Sequence, residues 1–210
     1  MSNAECPYVN MKNAAHEVVV LYHNFCNMAT RMSSYVRELE LSTLTDPLTG
    51  LANRRSLERD GCRLIEICRR SNVSCTCLVL DIDHFKKVND QYGHPVGDRV
   101  IKSLAKMIRQ RVRKSDVVGR YGGEEFAVVL HGATLDDAHR IMNRIRQDFS
   151  HVYHSYEDGI FSSSFSCGIS GYPSFDDPNV IAAKADAALY EAKRAGRNNV
   201  QLFGRQTPGK

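Results

Sequence analysis

Cys75-Thr76-Cys77-Leu78-Val79-Leu80-Asp81-Ile82-Asp83 is the stretch around which the 210-residue chain organises. Its first residues are apolar, and it closes on two carboxylates one residue apart. An apolar run of this length, with no Gly or Pro, reads as a buried strand over 75–82. Further along, residues 117–120 and 126–130 read as two strands around Gly122-Gly123, a hairpin with a glycine turn. Helical patterns alternate with these strands. Residues 53–70 place Leu57, Leu64, Ile65 and Cys68 on one side, and residues 97–112 do the same with Val100, Ile101, Leu104, Ile108 and Val112. Residues 134–149 have Thr134 as a cap, with Asp136 and Asp137 in the first turn. Residues 161–171 read as a strand, 178–195 as a helix stopping at Gly196, and 199–203 as a short last strand. Two α-β-β-like units over one mainly antiparallel sheet, with helices on its faces, make an α+β domain.

The N-terminal 44 residues follow a different pattern. Ala15, Val18, Tyr22, Phe25, Ala29, Met32, Val36 and Leu39 are spaced alternately three and four apart. That is the a/d seam of a coiled coil, and it predicts a helix that pairs two chains. Asp46-Pro47 breaks it. The expected layout is therefore residues 1–44 as a helical linker, 45–203 as the domain, and 204–210 as a frayed tail.

Composition narrows the class. Hydrophobic residues at 42% and charged residues at 25% are those of a folded domain, not of a disordered chain. The excess of Lys+Arg over Asp+Glu is 28 − 24 = +4, too small for a nucleic-acid footprint but compatible with an anionic ligand. The longest aliphatic run, Val18 to Leu21, falls far short of the ~20 residues of a membrane span, and the first residues do not form a secretory leader. The expectation is a cytoplasmic protein; any membrane anchor would have to lie beyond these residues. The seven Cys form no CxxC pair, which reads as buried free thiols rather than a metal or redox centre.

Two acidic clusters carry the chemistry. Asp81 and Asp83 sit at a strand end, and Glu124 and Glu125 at a hairpin tip. Either cluster alone is an ordinary turn or a solvated tip. Together they suit a hard divalent cation, which binds one or two carboxylates plus substrate phosphates and can stabilise both oxygens of an in-line phosphoryl displacement. Phe85, Lys86, Asn89, Asp90, Gly93, His94, Gly97 and Asp98 follow the first cluster. Asn89 and Asp98 offer the amide and carboxylate edge that reads guanine, and Lys86 is a phosphate-binding candidate. Gly97, read as preceding a helix, would leave free N–H groups for phosphate. Lys193 and Arg197 flank Gly196 at a helix C-terminus, where basic residues also complement the helix dipole.

These residues carry a family resemblance. Asp46-Pro47-Leu48-Thr49-Gly50-Leu51-Ala52-Asn53-Arg54-Arg55 resembles the opening motif of GGDEF domains, the diguanylate cyclases. Gly122-Gly123-Glu124-Glu125-Phe126 is similar to their signature loop in its active GGEEF form. Asp81-Ile82-Asp83-His84-Phe85-Lys86 and Asn89 through Asp98 look like the metal and guanine motifs, and Lys193-Arg194-Ala195-Gly196-Arg197-Asn198 like the closing motif. The match runs from about residue 45 to 203.

The resemblance implies a nucleotidyl-cyclase-like, ferredoxin-like palm and the condensation of two GTP to cyclic di-GMP with release of two pyrophosphates. Two domains would face each other antiparallel, each holding one GTP. Asp81, the backbone carbonyl of Ile82, Glu124 and Glu125 would hold Mg2+ or Mn2+, two ions per GTP site, with Glu124 also the candidate base. Asn89 and Asp98 would read guanine; His94, Phe85, Gly122 and Gly123 would complete the substrate pocket; and Lys86, Lys193 and Arg197 would neutralise phosphates. Arg113-Lys114-Ser115-Asp116 resembles the family's RxxD inhibitory site, with Arg144 as a partner arginine, which implies feedback inhibition by product. The implied partners are GTP, cyclic di-GMP and a second copy of the chain. A domain that only senses GTP or cyclic di-GMP, and a cyclase making a mixed dinucleotide, are the other readings; the intact Asp81, Glu124 and Glu125 favour the diguanylate cyclase.

Overall fold

β1 (Cys75–Ile82) forms the centre of a five-stranded sheet. The computed structural model describes residues 18, 20–29, 31–32, 44–157, 159–175 and 177–204. The chain divides into two units, Met1–Thr43 and Leu44–Lys210. In the first unit every described residue is helical, and the seam residues Val18, Tyr22, Phe25, Ala29 and Met32 are exposed. Ala15, Val36 and Leu39, also expected in the seam, lie outside the described residues, as does the tail from residue 205.

In the second unit the order is α1 (Arg54–Arg70), β1, α2 (Phe85–Tyr92), α3 (His94–Arg111), β2 (Val117–Arg120), β3 (Glu125–His131), α4 (Leu135–Ser150), β4 (Tyr153–Tyr156), β5 (Gly159–Ser162), β6 (Phe165–Tyr172), α5 (Pro178–Arg194) and β7 (Val200–Leu202). The main sheet runs β2-β3-β1-β6-β7. All its pairs are antiparallel except β6 with β7. β1 is apolar at nearly every position because both of its faces are covered. Leu78, Leu80 and Ile82 join the larger core with Val100, Ile101, Leu104 and Ile108 of α3 and Met142, Ile145 and Phe149 of α4. Cys75 and Cys77 face the other way, against Ile65 and Cys68 of α1 and Ile181 and Ala185 of α5. Those two thiols are free, and burial raises both, Cys77 to about 12, so they act as core side chains.

Local signals explain the element ends. Asn53 caps α1 by accepting from Ser56 N at 3.0 Å. Thr134 and Asp137 form a reciprocal capping box on α4. Gly168 in β6 is required by close approach, since a Cβ there would run into the Ala185 carbonyl and the Leu189 amide of α5.

Three expectations need correction. The segment 85–92, read as a loop, is α2. α3 begins at His94, not 97, because Pro95 suits the first turn of a helix. Gly97 therefore lies inside α3, and its N–H is already given to the Gly93 carbonyl at 3.2 Å; it is not a free phosphate donor. The proposed strand 161–171 is two elements: β5 pairs with β4 in a separate hairpin, and β6 belongs to the main sheet.

That hairpin buries His154, which is 6% exposed and whose Nε2 has no hydrogen-bond partner. Burial, with the nearby Arg99 charge, lowers its pKa below the ordinary histidine value. A depressed folded-state pKa means the unfolded chain takes up the proton first as pH falls. The stability from keeping His154 neutral is thus complete above about pH 6.5 and is lost as pH drops towards the lower folded-state value. Thermal melts between pH 7.5 and 5 should show this loss, and His154→Phe should flatten it; parallel curves for the two proteins would contradict the assignment.

Candidate active site

The sheet register sets the site. Asp81 of β1 stands opposite Glu125 of β3 and Ser166 of β6. The turn before β3 carries Glu124 alongside, and its carbonyl accepts from Ile82 N at 3.3 Å. Asp81 is buried, and Lys193, from the last turn of α5, places its Nζ 2.8 Å from the Asp81 carboxylate. Burial raises the pKa of Asp81 against the opposing pull of Lys193. Glu124 is raised first by burial and then by the charges of Asp81 and Glu125. Carboxylates crowded this way favour a cation. Among the described residues no three acidic, His or Cys side chains converge to hold a metal unaided. An all-oxygen donor set of two carboxylates and a carbonyl, completed by substrate oxygens, would still suit Mg2+ or Mn2+.

Asp83, grouped with Asp81 in the sequence, does a different job. It is 5% exposed and accepts from Ser164 Oγ at 2.6 Å, Ser166 Oγ at 2.7 Å and Asn198 N at 2.9 Å. Its carboxylate is thereby committed to tying β6 and the loop after α5 to the end of β1. In that loop Gly196, Arg197 and Asn198 are successive positive-φ residues, and Arg146 of α4 donates to the Asn198 carbonyl at 3.0 Å and to its Oδ1 at 2.8 Å. Arg197 is exposed, and its charge reaches Asp81.

The signature turn has its own anchor. Arg120 donates to the carbonyls of Gly122 and Gly123, the shortest at 2.7 Å, and pairs with Asp46 at 3.1 Å. Asp46 also accepts from Thr49 N and Oγ1. Sequence reasoning missed Arg120, Arg146, Ser164 and Ser166, because Asp46, Asn198 and Asp83, which they reach, lie 52 to 83 residues away along the chain. Gly122 leaves room for Glu125, whose Oε2 would lie 2.8 Å from a Cβ there. Glu125 is among the residues lining a groove of about 540 Å³ between α1 and α5.

The remaining expected residues are placed as follows. Lys86 is exposed in the first turn of α2, and His94 and Asp98 are exposed in the first turns of α3. Asn89 is half-buried on α2, its carboxamide resting where a Gly97 side chain would be. Phe85 is 6% exposed and belongs to the core, so its contribution is packing. Arg113 is exposed, and Asp116 is buried with its carboxylate accepting from Arg113 N at 2.7 Å and His131 N at 3.1 Å. Both line a depression of about 220 Å³ shared with Arg111 and Arg140. Arg144 does not line it; one turn beyond Arg140, it pairs with Asp148 at 3.5 Å.

A mainly antiparallel palm that gathers carboxylates and a lysine beside a glycine turn defines a nucleotidyl-cyclase-like domain. The chain belongs to the GGDEF family: the family described as diguanylate cyclase, GGDEF domain, matches residues 43–199. It is 35% identical over 174 residues to Diguanylate cyclase DgcP of Pseudomonas aeruginosa, covering 83% of this chain and 26% of that protein. The chain spans about a quarter to a half of the length of the curated relatives it matches. The GGDEF domain of DgcB from Caulobacter crescentus, in complex with c-di-GMP, superposes with a TM-score of 0.74 at 32% identity, covering 77% of this chain and 94% of that one. The coiled coil and GGDEF domain of DgcB, also with c-di-GMP, gives 0.73 at 27% identity, covering 88% and 98%. Among the described residues no helix is long and apolar enough to cross a membrane.

Proposed function

We propose that this chain is a diguanylate cyclase that condenses two GTP into cyclic di-GMP and releases two pyrophosphates. The observation that carries this is the meeting of Asp81, Glu124 and Lys193 at the end of β1, on a family-matched domain with every acidic motif residue present. Asn89 and Asp98 read guanine, with His94 beside them. Lys86, Lys193 and Arg197 hold the phosphates, and Gly122-Gly123 let backbone approach them. Asp81, the Ile82 carbonyl and Glu124, with Glu125 nearby, would hold Mg2+ or Mn2+, two ions per GTP site. When bound, the metal supplies charge neutralisation at the α-phosphate. Glu124, on the turn beside Asp81, takes the proton of the attacking 3′-hydroxyl. That oxygen bonds to the α-phosphorus of the second GTP as the bond to pyrophosphate breaks. Positioning and charge stabilisation do most of this work.

Each domain holds only one GTP, so two copies must face each other. The exposed Val18, Tyr22, Phe25 and Met32 are the surface through which N-terminal helices would pair. A chain that is monomeric by light scattering at concentrations where it turns over would remove that role. Incubation with GTP and Mg2+, products resolved by chromatography, tests the activity. Absence of cyclic di-GMP at high protein concentration, after any bound product has been stripped, would reject it.

Product inhibition at Arg113 and Asp116, with Arg144 as the partner arginine from a second domain, completes the proposal. The exposed Arg113 guanidinium can grip a phosphate bidentately, while Asp116 shapes the turn beneath it. Losing a charge-assisted pair of about 1.5–3 kcal/mol should weaken cyclic di-GMP binding by about 10- to 100-fold in Arg113→Ala. Calorimetric titration measures this, and an unchanged curve would sink the idea.

A further inference from the structure

The β4–β5 hairpin shares no hydrogen-bond ladder with the main sheet. Its outer face shows Tyr153 and Ile160 to solvent. Its inner face is aromatic, and Tyr156 and Phe161 on it meet the elbow where α2 joins α3. Gly93, at φ 82°, is the joint of that elbow. Tyr92, the last residue of α2, stacks on Phe161 of β5 with centroids 4.1 Å apart and planes 12° from parallel, and lies 4.7 Å from Tyr156 of β4. On the other arm, Arg99 of α3 donates from Nη2 to the Ser155 carbonyl of β4 at 2.6 Å. The hairpin is seated in turn by His154, whose ring is 5.5 Å from Phe161 and 6.2 Å from Phe149 of α4. Phe149 then meets Phe165, which pairs with Ile82 beside the carboxylates.

The elbow carries both base-reading side chains. Asn89 lies one turn before Tyr92, and Asp98 is the residue next to Arg99. The hairpin thus grips each arm within a turn of the group that would touch the base. We propose that the β4–β5 hairpin is a positioning element for guanine recognition, acting through Tyr92 and Arg99 on Asn89 and Asp98. The inference rests on the assignment of those two residues as guanine readers. Paired hydrogen bonds to a base edge tolerate little displacement, so a slack elbow weakens base selection before it alters the chemistry at the phosphate.

The test uses the full chain, with cyclic di-GMP hydrolysed as it forms so that product does not accumulate. Initial rates are measured with GTP and with ITP, which lacks the exocyclic amine Asp98 would accept from. Phe161→Ala removes the stack. Arg99→Met removes an exposed side chain's bond and its charge near His154 while leaving the core packing in place. Both should raise KM for GTP by about tenfold, leave kcat within about twofold, and narrow the GTP-over-ITP preference in kcat/KM; Phe161→Tyr should keep KM and the preference near the wild-type values. A merely structural hairpin would lower the melting temperature and kcat, with KM and preference unchanged, which would overturn the inference. A wild-type chain indifferent between GTP and ITP would overturn the guanine assignment and this inference with it. Wild-type preference retained in both variants would overturn the inference alone.

Discussion

Glu124→Gln should reduce GTP turnover by at least about a thousandfold without loss of fold. The carboxamide has the same shape, but it has neither the charge for a cation nor the basicity for the 3′-hydroxyl proton. Stability should stay level or rise. Burial and the Asp81 and Glu125 charges disfavour ionised Glu124, so a neutral side chain relieves that repulsion. The check is product chromatography beside a thermal melt. Turnover near wild type would place the base and the metal ligand elsewhere; inactivity with a collapsed melt would make the loss one of fold and not of chemistry.

Asp83→Ala should be the most destabilising single change at the site while touching no substrate. It would leave the Ser164 and Ser166 hydroxyls and the Asn198 amide without their acceptor in a region where Asp83 and Ser166 are buried. Unpaired buried groups of this kind together cost about 3–5 kcal/mol, a melting shift of about 10 °C for a domain this size. Asp83→Asn keeps an acceptor oxygen, and the serine hydroxyls can rotate to meet its amide, so its loss should be smaller. The loop that carries Arg197 would also come free, so residual activity should show a raised KM for GTP. An Asp83→Ala melt within 2 °C of wild type would show that the three bonds contribute little.

The two carboxylates show what one sequence can and cannot reveal. Asp81 and Asp83 look equivalent in the chain. Only the register, with Asp81 opposite Glu125 and Asp83 beside Ser164, separates a site residue from a tether. The strands and long helices were legible because their apolar residues repeat over eight or more positions or lie between unambiguous breakers, as β1 and the Thr134 cap show. The β4–β5 hairpin was not, since Tyr153-His154-Ser155-Tyr156 has no aliphatic residue and buries a histidine instead. α2 was readable in principle: Phe85, Val88 and Tyr92 are spaced three and four apart, but eight residues with Asn and Asp among them resemble a loop. Nothing in the sequence could have joined Arg120 to Asp46, 74 residues apart.

That last pair alters where the domain should be taken to begin. α1, the first helix of the second unit, starts at Arg54, and a boundary drawn from secondary structure would fall just before its cap. A chain cut there would retain every strand and helix of the second unit, yet carry Glu124 on a turn whose guanidinium brace, 17% exposed in the intact chain, had lost its anionic partner. The eight residues from Asp46 to Asn53, irregular in structure, are in mechanical terms the far abutment of the glycine hairpin.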